Sequence, residues 1–279
     1  MKTPFPLVWD NTMRSAFVAC PQKFWWEYGE HYKPKEISVH LHAGKAYAAG
    51  LERTRKAFYV EEKPPIEAQA LGLGALIQEY GDYVPPKHQE NKSIERLIGA
   101  FAYYWNAFPL ETDPVQPYSG RNGPMIEFSF ALPLDAENLL HPETGEPIIY
   151  AGRADLIATY AGAISVYDDK TTGQLGAKWG TQWTRRSQFT GYAWAAEEYG
   201  IKAQQVVVRG IAILKNDYNH AQAITHRTPA HILEWRIQAI RDIQRAIQCW
   251  KDGYWDLSLS DTCASYGGCL FLQPCQAPN

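Results

Sequence analysis

Apolar residues recur every three or four positions in three stretches of the chain, and this spacing predicts three amphipathic helices. The first begins after Ser93, the second covers residues 182–199, and the third runs from Pro229 to Gly253. The third helix has one apolar stripe, made of Leu233, Ile237, Ile240, Ile243, Ile247 and Trp250. We therefore expect each helix to bury one face against a core.

Strand-like runs lie between the first two helices and after the second. They cover residues 125–134, 147–160 and 163–171, with a further run at 204–214. The order is helices, antiparallel strands, helix, strand and long helix. It predicts a mixed α/β fold around one central sheet.

The runs at 147–160 and 163–171 form a hairpin if the turn is centred between residues 161 and 162. Asp155 then lies directly opposite Asp168 on one face of the sheet. Lys170 shares that face, whereas Asp169 points to the other. The register therefore brings two carboxylates and a lysine together.

Facing carboxylates repel each other, so a fold tolerates such a pair mainly where a cation neutralises it. Oxygen ligands suit Mg²⁺ or Mn²⁺, and a nearby lysine can orient the attacking water and offset charge in the transition state. This is the chemistry of phosphodiester hydrolysis. The alternative is that Asp155 and Asp168 are exposed strand residues and that Lys170 pairs with one of them.

Gln188 and Tyr192 lie four residues apart, so they share one face of the second helix. There they can contact a phosphate backbone or the attacking water. A surface glutamine above a core tyrosine is the structural alternative.

Three short motifs, in this order, resemble those of the PD-(D/E)XK nuclease superfamily. They are GRAD at 152–155, YDDK at 167–170 and QFTGY at 188–192. The likeness is to the RecB-like branch with its CRISPR-associated and phage-type exonucleases, and it extends to Cys20-Pro21 and to the C-terminal cysteines.

The resemblance covers nearly the whole chain. It implies an α/β fold with a restriction-endonuclease-like central mixed sheet flanked by helices, and a single nuclease domain over residues 1–279. The expected parts are a helical N-terminal region (1–115), a catalytic core (120–215), and a C-terminal helix with a cysteine-rich tail (225–279).

The same resemblance implies roles for individual residues. The metal ligands would be Asp155, Asp168, the backbone carbonyl of Asp169, and Glu127 as an assisting acid. Lys170 would be catalytic, with Gln188 and Tyr192 on the substrate side. The family's helical histidine is replaced by Ala48, which favours an all-oxygen metal shell and Mg²⁺, unless His40 or His42 fills the gap.

Five cysteines in a chain that we expect to be cytoplasmic should not form disulfides. The C-terminal cysteines are separated by five residues, which does not fit structural zinc. A 4Fe-4S cluster needs four thiolates and tolerates wider spacing, which makes a candidate set of Cys20, Cys263, Cys269 and Cys275. Four buried thiols without a metal are the alternative, and Cys249 is assigned to helix packing.

Composition excludes a disordered chain and a generally basic one. The sequence has 10 Trp, 17 Tyr and 10 Phe, and its net charge is −3, so any DNA site must be local. The candidate DNA-binding residues are Arg153, Lys178, Arg185 and Arg186. Trp179 and Trp183 lie among them and either stack bases of a single strand or belong to the core.

These observations predict a metal-dependent DNA exonuclease with a 4Fe-4S cluster that ties the chain ends together. The alternatives are a structure-specific endonuclease or resolvase, a non-catalytic iron-sulfur DNA-binding component, and a zinc-stapled interaction protein. We expect DNA with single-stranded character as the substrate, a recombination protein as a candidate partner, and no membrane association, because no stretch approaches the length of a spanning helix.

Overall fold

The computed structural model describes residues 3–33, 38–258, 261–264 and 268–276; the outermost residues of the predicted 1–279 domain lie outside these ranges. The chain divides into two compact units, and each is built from separate stretches of sequence. One unit comprises residues 1–36, 129–152 and 230–279, and the other comprises 37–128 and 153–229. The single nuclease domain stays a prediction.

The described residues of the second unit form four α-helices. They are α3 (Val39–Tyr59), α4 (Pro65–Tyr80), α5 (Ile94–Ala107) and α6 (Ser187–Glu198). Helix α5 begins as predicted, because the Ser93 side chain accepts the Arg96 backbone N–H and caps the first turn. Helices α3 and α4 approach closely at Gly72, where an added Cβ would lie 1.8 Å from Thr54 Oγ1.

Helix α6 is shorter than the predicted 182–199, because residues Thr181–Trp183 form a separate 3₁₀ turn. In a continuous α-helix the carbonyl of Trp183 would accept the N–H of the residue four positions later. Here it accepts a hydrogen bond from Arg227 Nη2 at 2.8 Å. The predicted end is confirmed, since Gly200 has a φ of +78° directly after the last turn.

The sheet is mixed. Its strands are β1 (Val8–Trp9), β2 (Gln116–Pro117), β5 (Ile126–Pro133), β6 (Ile149–Tyr160), β7 (Ala163–Thr172), β8 (Gln205–Ile213) and β9 (Tyr218–His226), and a separate ribbon pairs β3 (Ser119–Gly120) with β4 (Gly123–Pro124). Strands β6, β7, β8 and β9 are neighbours in this order; the β7–β8 pair is parallel and the other two are antiparallel. Sequence periodicity missed β9.

The predicted register of the β6–β7 hairpin is confirmed. Leu156 pairs with Tyr167, and Tyr160 pairs with Ala163 at the turn. Residues 161 and 162 both have positive φ, +50° and +77°, as a two-residue hairpin turn requires. One more step in the same register sets Asp155 opposite Asp168.

Helices lie on both faces of β7. Arg55 of α3 reaches the face that carries Tyr167 and Asp169, whereas Phe189 of α6 lies 5.9 Å from Lys170 Nζ on the opposite face. The expected mixed α/β architecture with a central sheet flanked by helices is therefore confirmed.

The first unit contains α1 (Asn11–Ala19), α2 (Pro21–Phe24), α7 (Pro229–Asp252) and α8 (Leu272–Gln276), and β1 runs parallel to the start of β6. The predicted apolar stripe of α7 was partly wrong: Leu233 and Ile237 are exposed. The buried face of α7 instead contains Trp235. The Trp235 ring lies 5.3 Å from the Tyr150 ring, and this contact turns that face of the helix towards the core. No helix in the described ranges is long and apolar enough to cross a membrane.

Candidate active site

Asp168 and Lys170 form the centre of the candidate site. They lie two residues apart on β7, and the lysine ammonium contacts Asp168 Oδ2. Asp168 is only 2% exposed. Burial raises the pKa of its carboxyl to about 7, with Lys170 opposing the shift and Asp155 adding to it. Burial also disfavours the charged form of Lys170, but Asp168 and Asp155 outweigh it and raise the lysine pKa, so the amine stays protonated.

Asp155 is held beside this pair by the backbone of β7. Its Oδ2 accepts the Asp169 N–H at 2.7 Å. Burial raises the pKa of Asp155, and the neighbouring charge of Asp169 adds to the increase while Lys170 reduces it. Two carboxylates and one ammonium thus share a poorly solvated region, as the hairpin register predicts.

The side chain of Asp169 points to the other face, again as predicted. Its carboxylate accepts hydrogen bonds from Arg55 Nη2 at 2.6 Å and from the Tyr167 hydroxyl at 2.7 Å. Arg55 also donates to the Tyr104 hydroxyl at 2.7 Å. This buried ion pair fixes the backbone of Asp169, including the carbonyl that the sequence resemblance assigns to a metal.

Glu127 lies on β5 with a φ of +57°, an uncommon backbone conformation for a residue other than glycine. Burial raises the pKa of its carboxyl to about 7, and the charges of Asp155 and Glu52 contribute to the shift. Arg153 Nε binds Glu127 Oε2 at 2.8 Å. The acidic cluster of the site therefore includes Glu127, and it has a guanidinium at its border.

Helix α6 brings the predicted substrate-side residues to the same region. Gln188 Nε2 donates to the Tyr192 hydroxyl at 2.8 Å. Burial raises the pKa of Tyr192 to about 12; the Gln188 hydrogen bond opposes the shift and the nearby charge of Asp168 adds to it. The tyrosine is therefore a neutral hydrogen-bonding group at neutral pH.

Arg227 anchors the start of α6. The residue is 2% exposed, and its guanidinium donates to Thr190 Oγ1 at 2.8 Å, to the Trp183 carbonyl and to Thr225 Oγ1. Burial alone lowers the pKa of Arg227 to about 10. Because Thr190 lies between Gln188 and Tyr192, these hydrogen bonds tie the segment that carries both residues to Thr225 of β9.

The basic residues and tryptophans before α6 divide into two groups. Lys178, Arg185 and Arg186 are exposed, as a role in DNA binding requires. Trp179 and Trp183 are buried, 9% and 8% exposed, so the structure favours core tryptophans over bases stacked on them. An added Cβ at Gly210 would lie 2.2 Å from the Trp179 ring, which shows how closely that ring packs on β8.

Oxygen donors dominate the set of side chains that a divalent metal would meet here. They are Asp155, Asp168, Glu127 and Glu52, together with the Asp169 carbonyl. This donor chemistry fits Mg²⁺ or Mn²⁺. Within the described residues no three such side chains converge closely enough to hold an ion as they stand, so binding would require them to close in. His42 donates to the Tyr80 carbonyl at 2.9 Å, a structural role, and His40 is exposed.

Sequence reasoning missed Glu52 and Arg55 of α3. Glu52 lies one helical turn after Ala48, and Arg55 follows on the same face. That spacing was readable in the sequence, but only the contact between Arg55 and Asp169 shows that this face of α3 is turned towards β7. Glu52 thus lies on the helix in which the family histidine is absent; it pairs with Lys56, and its charge contributes to the raised pKa of Glu127.

Four cysteines line one cavity of about 700 Å³ in the first unit, together with Trp26 and Phe271. They are Cys20, Cys263, Cys269 and Cys275, the set that the sequence predicts. Burial raises the pKa of Cys275, and the nearness of the other three thiols raises it further. Cys249 is buried within α7, away from this lining set, as a packing residue would be. Within the part of the chain that the structure describes, no three of these thiols converge closely enough to hold a metal, so the 4Fe-4S cluster stays a prediction.

Comparison with known proteins identifies the family. The family model of the PD-(D/E)XK nuclease superfamily matches residues 12–276, so the chain belongs to this superfamily. A candidate exonuclease from Eubacterium rectale, solved by crystallography, has a similar fold at 12% sequence identity and a TM-score of 0.50. That alignment covers 92% of this chain and 87% of that chain.

A second crystal structure, that of SSO0001, is also similar, with 12% identity and a TM-score of 0.31 over 85% of this chain and 83% of that one. The search of curated proteins found no match. Membership of the superfamily makes the chain a nuclease by family, and the restriction-endonuclease-like fold expected from the sequence is confirmed.

Proposed function

We propose that this chain is a metal-dependent DNA nuclease that hydrolyses phosphodiester bonds at Asp155, Asp168 and Lys170. The observation that carries the proposal is the contact between Lys170 and the buried Asp168, with Asp155 held beside them by the Asp169 N–H. A buried carboxylate (Asp168) and a half-buried one (Asp155) next to a protonated lysine suit the stabilisation of negative charge at a reacting phosphate.

The metal would be Mg²⁺ or Mn²⁺, held by Asp155, Asp168, the Asp169 carbonyl and Glu127, with Glu52 as an additional ligand. When bound, it would polarise the phosphoryl oxygens and lower the pKa of an attacking water. The other contributions to the reaction would come from side chains of the protein. Lys170 supplies a fixed positive charge beside the carboxylates, and the Gln188–Tyr192 pair offers hydrogen bonds to a phosphate or to water.

We assign the DNA contacts to Arg153, Lys178, Arg185 and Arg186. All four are exposed, and a local basic group is what an overall acidic chain needs to hold a polyanion. With Trp179 and Trp183 in the core and not available for base stacking, single-stranded character of the substrate stays a prediction. A recombination protein as partner and a cytoplasmic location stay predictions.

Exonuclease activity is the preferred reaction, because the similar protein from Eubacterium rectale carries that designation. An endonuclease or resolvase would use the same residues. A non-catalytic DNA-binding component is disfavoured, because Asp155, Asp168 and Lys170 are all in place.

We further propose that Cys20, Cys263, Cys269 and Cys275 hold a 4Fe-4S cluster with a structural role. The support is that all four thiols line one cavity although Cys20 is more than 240 residues distant from the others in sequence. A zinc ion would use the same thiols, and metal analysis separates the two.

The decisive experiment compares end-labelled linear DNA with closed circular DNA in the presence of Mg²⁺ or Mn²⁺. An exonuclease degrades only the linear substrate. We expect Asp168→Asn and Lys170→Ala to reduce cleavage at least about 100-fold while DNA binding is largely kept, because both changes act on charges used in the reaction. Lys202→Ala, an exposed lysine outside the site, is the matched control. Full activity in Asp168→Asn would overturn the assignment.

A further inference from the structure

Arg153 and Glu127 form an ion pair at the border of the site, and the two side chains differ in their exposure to solvent. The distance from Arg153 Nε to Glu127 Oε2 is 2.8 Å. The arginine side chain is 63% exposed, whereas that of the glutamate is 13% exposed. The arginine can therefore move into solvent, while the glutamate is held in place by its surroundings.

Both residues are tied to the catalytic carboxylates. Arg153 lies two residues before Asp155 on β6, and in a strand this spacing puts both side chains on one face. Glu127 lies on β5, the strand that pairs with β6 in the sheet. A guanidinium at Glu127 therefore stands where a divalent cation would bind, and the two positive charges repel each other.

We propose that Arg153 couples DNA binding to metal binding, by occupying Glu127 in the free protein and leaving it for a phosphate of the DNA strand. The inference rests on the proposed nuclease function and concerns the order in which the site is assembled. Without DNA, Arg153 competes with the metal for Glu127; with DNA, the phosphate takes the guanidinium and leaves Glu127 in place for the metal.

The exchange is chemically reasonable because arginine binds phosphate oxygens with the same two-donor geometry that it uses for carboxylates. Its thermodynamic consequence is reciprocal: if DNA tightens metal binding, the metal must tighten DNA binding by the same factor. The metal would thus be bound firmly only when a strand is present.

The test measures Mn²⁺ affinity by calorimetry in the free protein and with a phosphorothioate oligonucleotide, which resists hydrolysis. In the wild type we expect the oligonucleotide to tighten Mn²⁺ binding about tenfold, within the usual range of coupling between sites. Arg153→Met should bind Mn²⁺ several-fold more tightly than the wild type when DNA is absent, and its gain on adding DNA should shrink.

Arg53→Met is the matched control, because it removes the same charge from another Arg–Glu pair, in which Arg53 Nη1 binds Glu61 Oε1 at 2.6 Å. It should leave Mn²⁺ affinity unchanged. Equal or weaker Mn²⁺ binding in DNA-free Arg153→Met, or an undiminished DNA-dependent gain, would overturn the coupling even if the wild type binds metal and cleaves DNA. A wild type that neither binds Mn²⁺ nor cleaves DNA would overturn the nuclease function as well.

Discussion

At the residue scale, the main feature of the site is a set of carboxyl groups that the fold keeps from ionising freely. The pKa values of Asp168 and Glu127 are both about 7, and burial is the largest cause for each. Such carboxyls cost the folded state free energy when they are charged, and a divalent cation offsets that cost. When they are charged, these carboxyls therefore lower the stability of the folded chain.

This predicts how the stability of the metal-free protein depends on pH. The folded-state pKa of Asp168 is raised above its ordinary 3.8, so between about pH 4 and pH 7 the folded chain binds more protons than the unfolded chain. The contribution of Asp168 to the free energy of unfolding must then decrease as pH rises through this range. Urea unfolding in EDTA at pH 5, 6, 7 and 8 measures it.

Asp168→Asn supplies the comparison, because an amide does not titrate. The variant should lose less stability than the wild type between pH 5 and pH 8. Parallel curves for the two proteins would show that the Asp168 carboxyl ionises in the folded chain much as it does in the unfolded one.

At the scale of elements, one buried ion pair joins α3 to β7. Arg55 and Asp169 are nearly inaccessible to solvent, and their charged groups meet at 2.6 Å beside the hydroxyls of Tyr104 and Tyr167. The pair fixes the backbone of Asp169 and turns the face of α3 that carries Glu52 towards β7. The Asp169 side chain therefore has a structural role. The sequence had suggested a role only for the backbone carbonyl of this residue.

Asp169→Asn should lower the free energy of unfolding by about 3 kcal/mol, because it leaves a buried guanidinium without its counterion. The solvent-exposed pair of Arg53 and Glu61 is the control, and Glu61→Gln should change the free energy of unfolding far less, because water screens both charges. Chemical denaturation at pH 7 compares the two. A similar small loss in both variants would mean that hydrogen bonds to tyrosine suffice to hold Arg55.

At the scale of the whole molecule, the cavity lined by cysteines joins distant parts of the chain. Cys20 follows α1, and the other three thiols come from the segment after α7. A cluster bound there would link these segments within the first unit and would stabilise the folded state over the unfolded one, in which the thiols are far apart.

We expect anaerobically purified protein to contain about four iron and four sulfide ions per chain. Cys263→Ser should lose iron and thermal stability together, whereas Cys249→Ser should keep both, because Cys249 packs within α7. Iron and sulfide analysis, with thermal unfolding of each variant, measures this. Stoichiometric zinc without sulfide would replace the cluster by a zinc site, and a metal-free preparation with unchanged stability would leave only buried thiols.

The sequence by itself determined the features that depend on local periodicity. Strand alternation and a two-residue turn specify the register that sets Asp155 opposite Asp168 and sends Asp169 to the other face. The same kind of reasoning located α5 and both ends of α7, because caps and helix-ending residues lie next to the elements they limit.

Only the tertiary structure decided which residues each face of a helix or strand contacts. It buries Trp179 and Trp183 instead of leaving them for bases, turns Leu233 of α7 outward, and brings Glu52 close enough for its charge to raise the pKa of Glu127. The physical reason is that a hydrophobic or charge pattern describes one element at a time. Burial, pKa and ion pairing depend on groups that approach from elsewhere in the chain, as Arg55 approaches Asp169 across 114 residues.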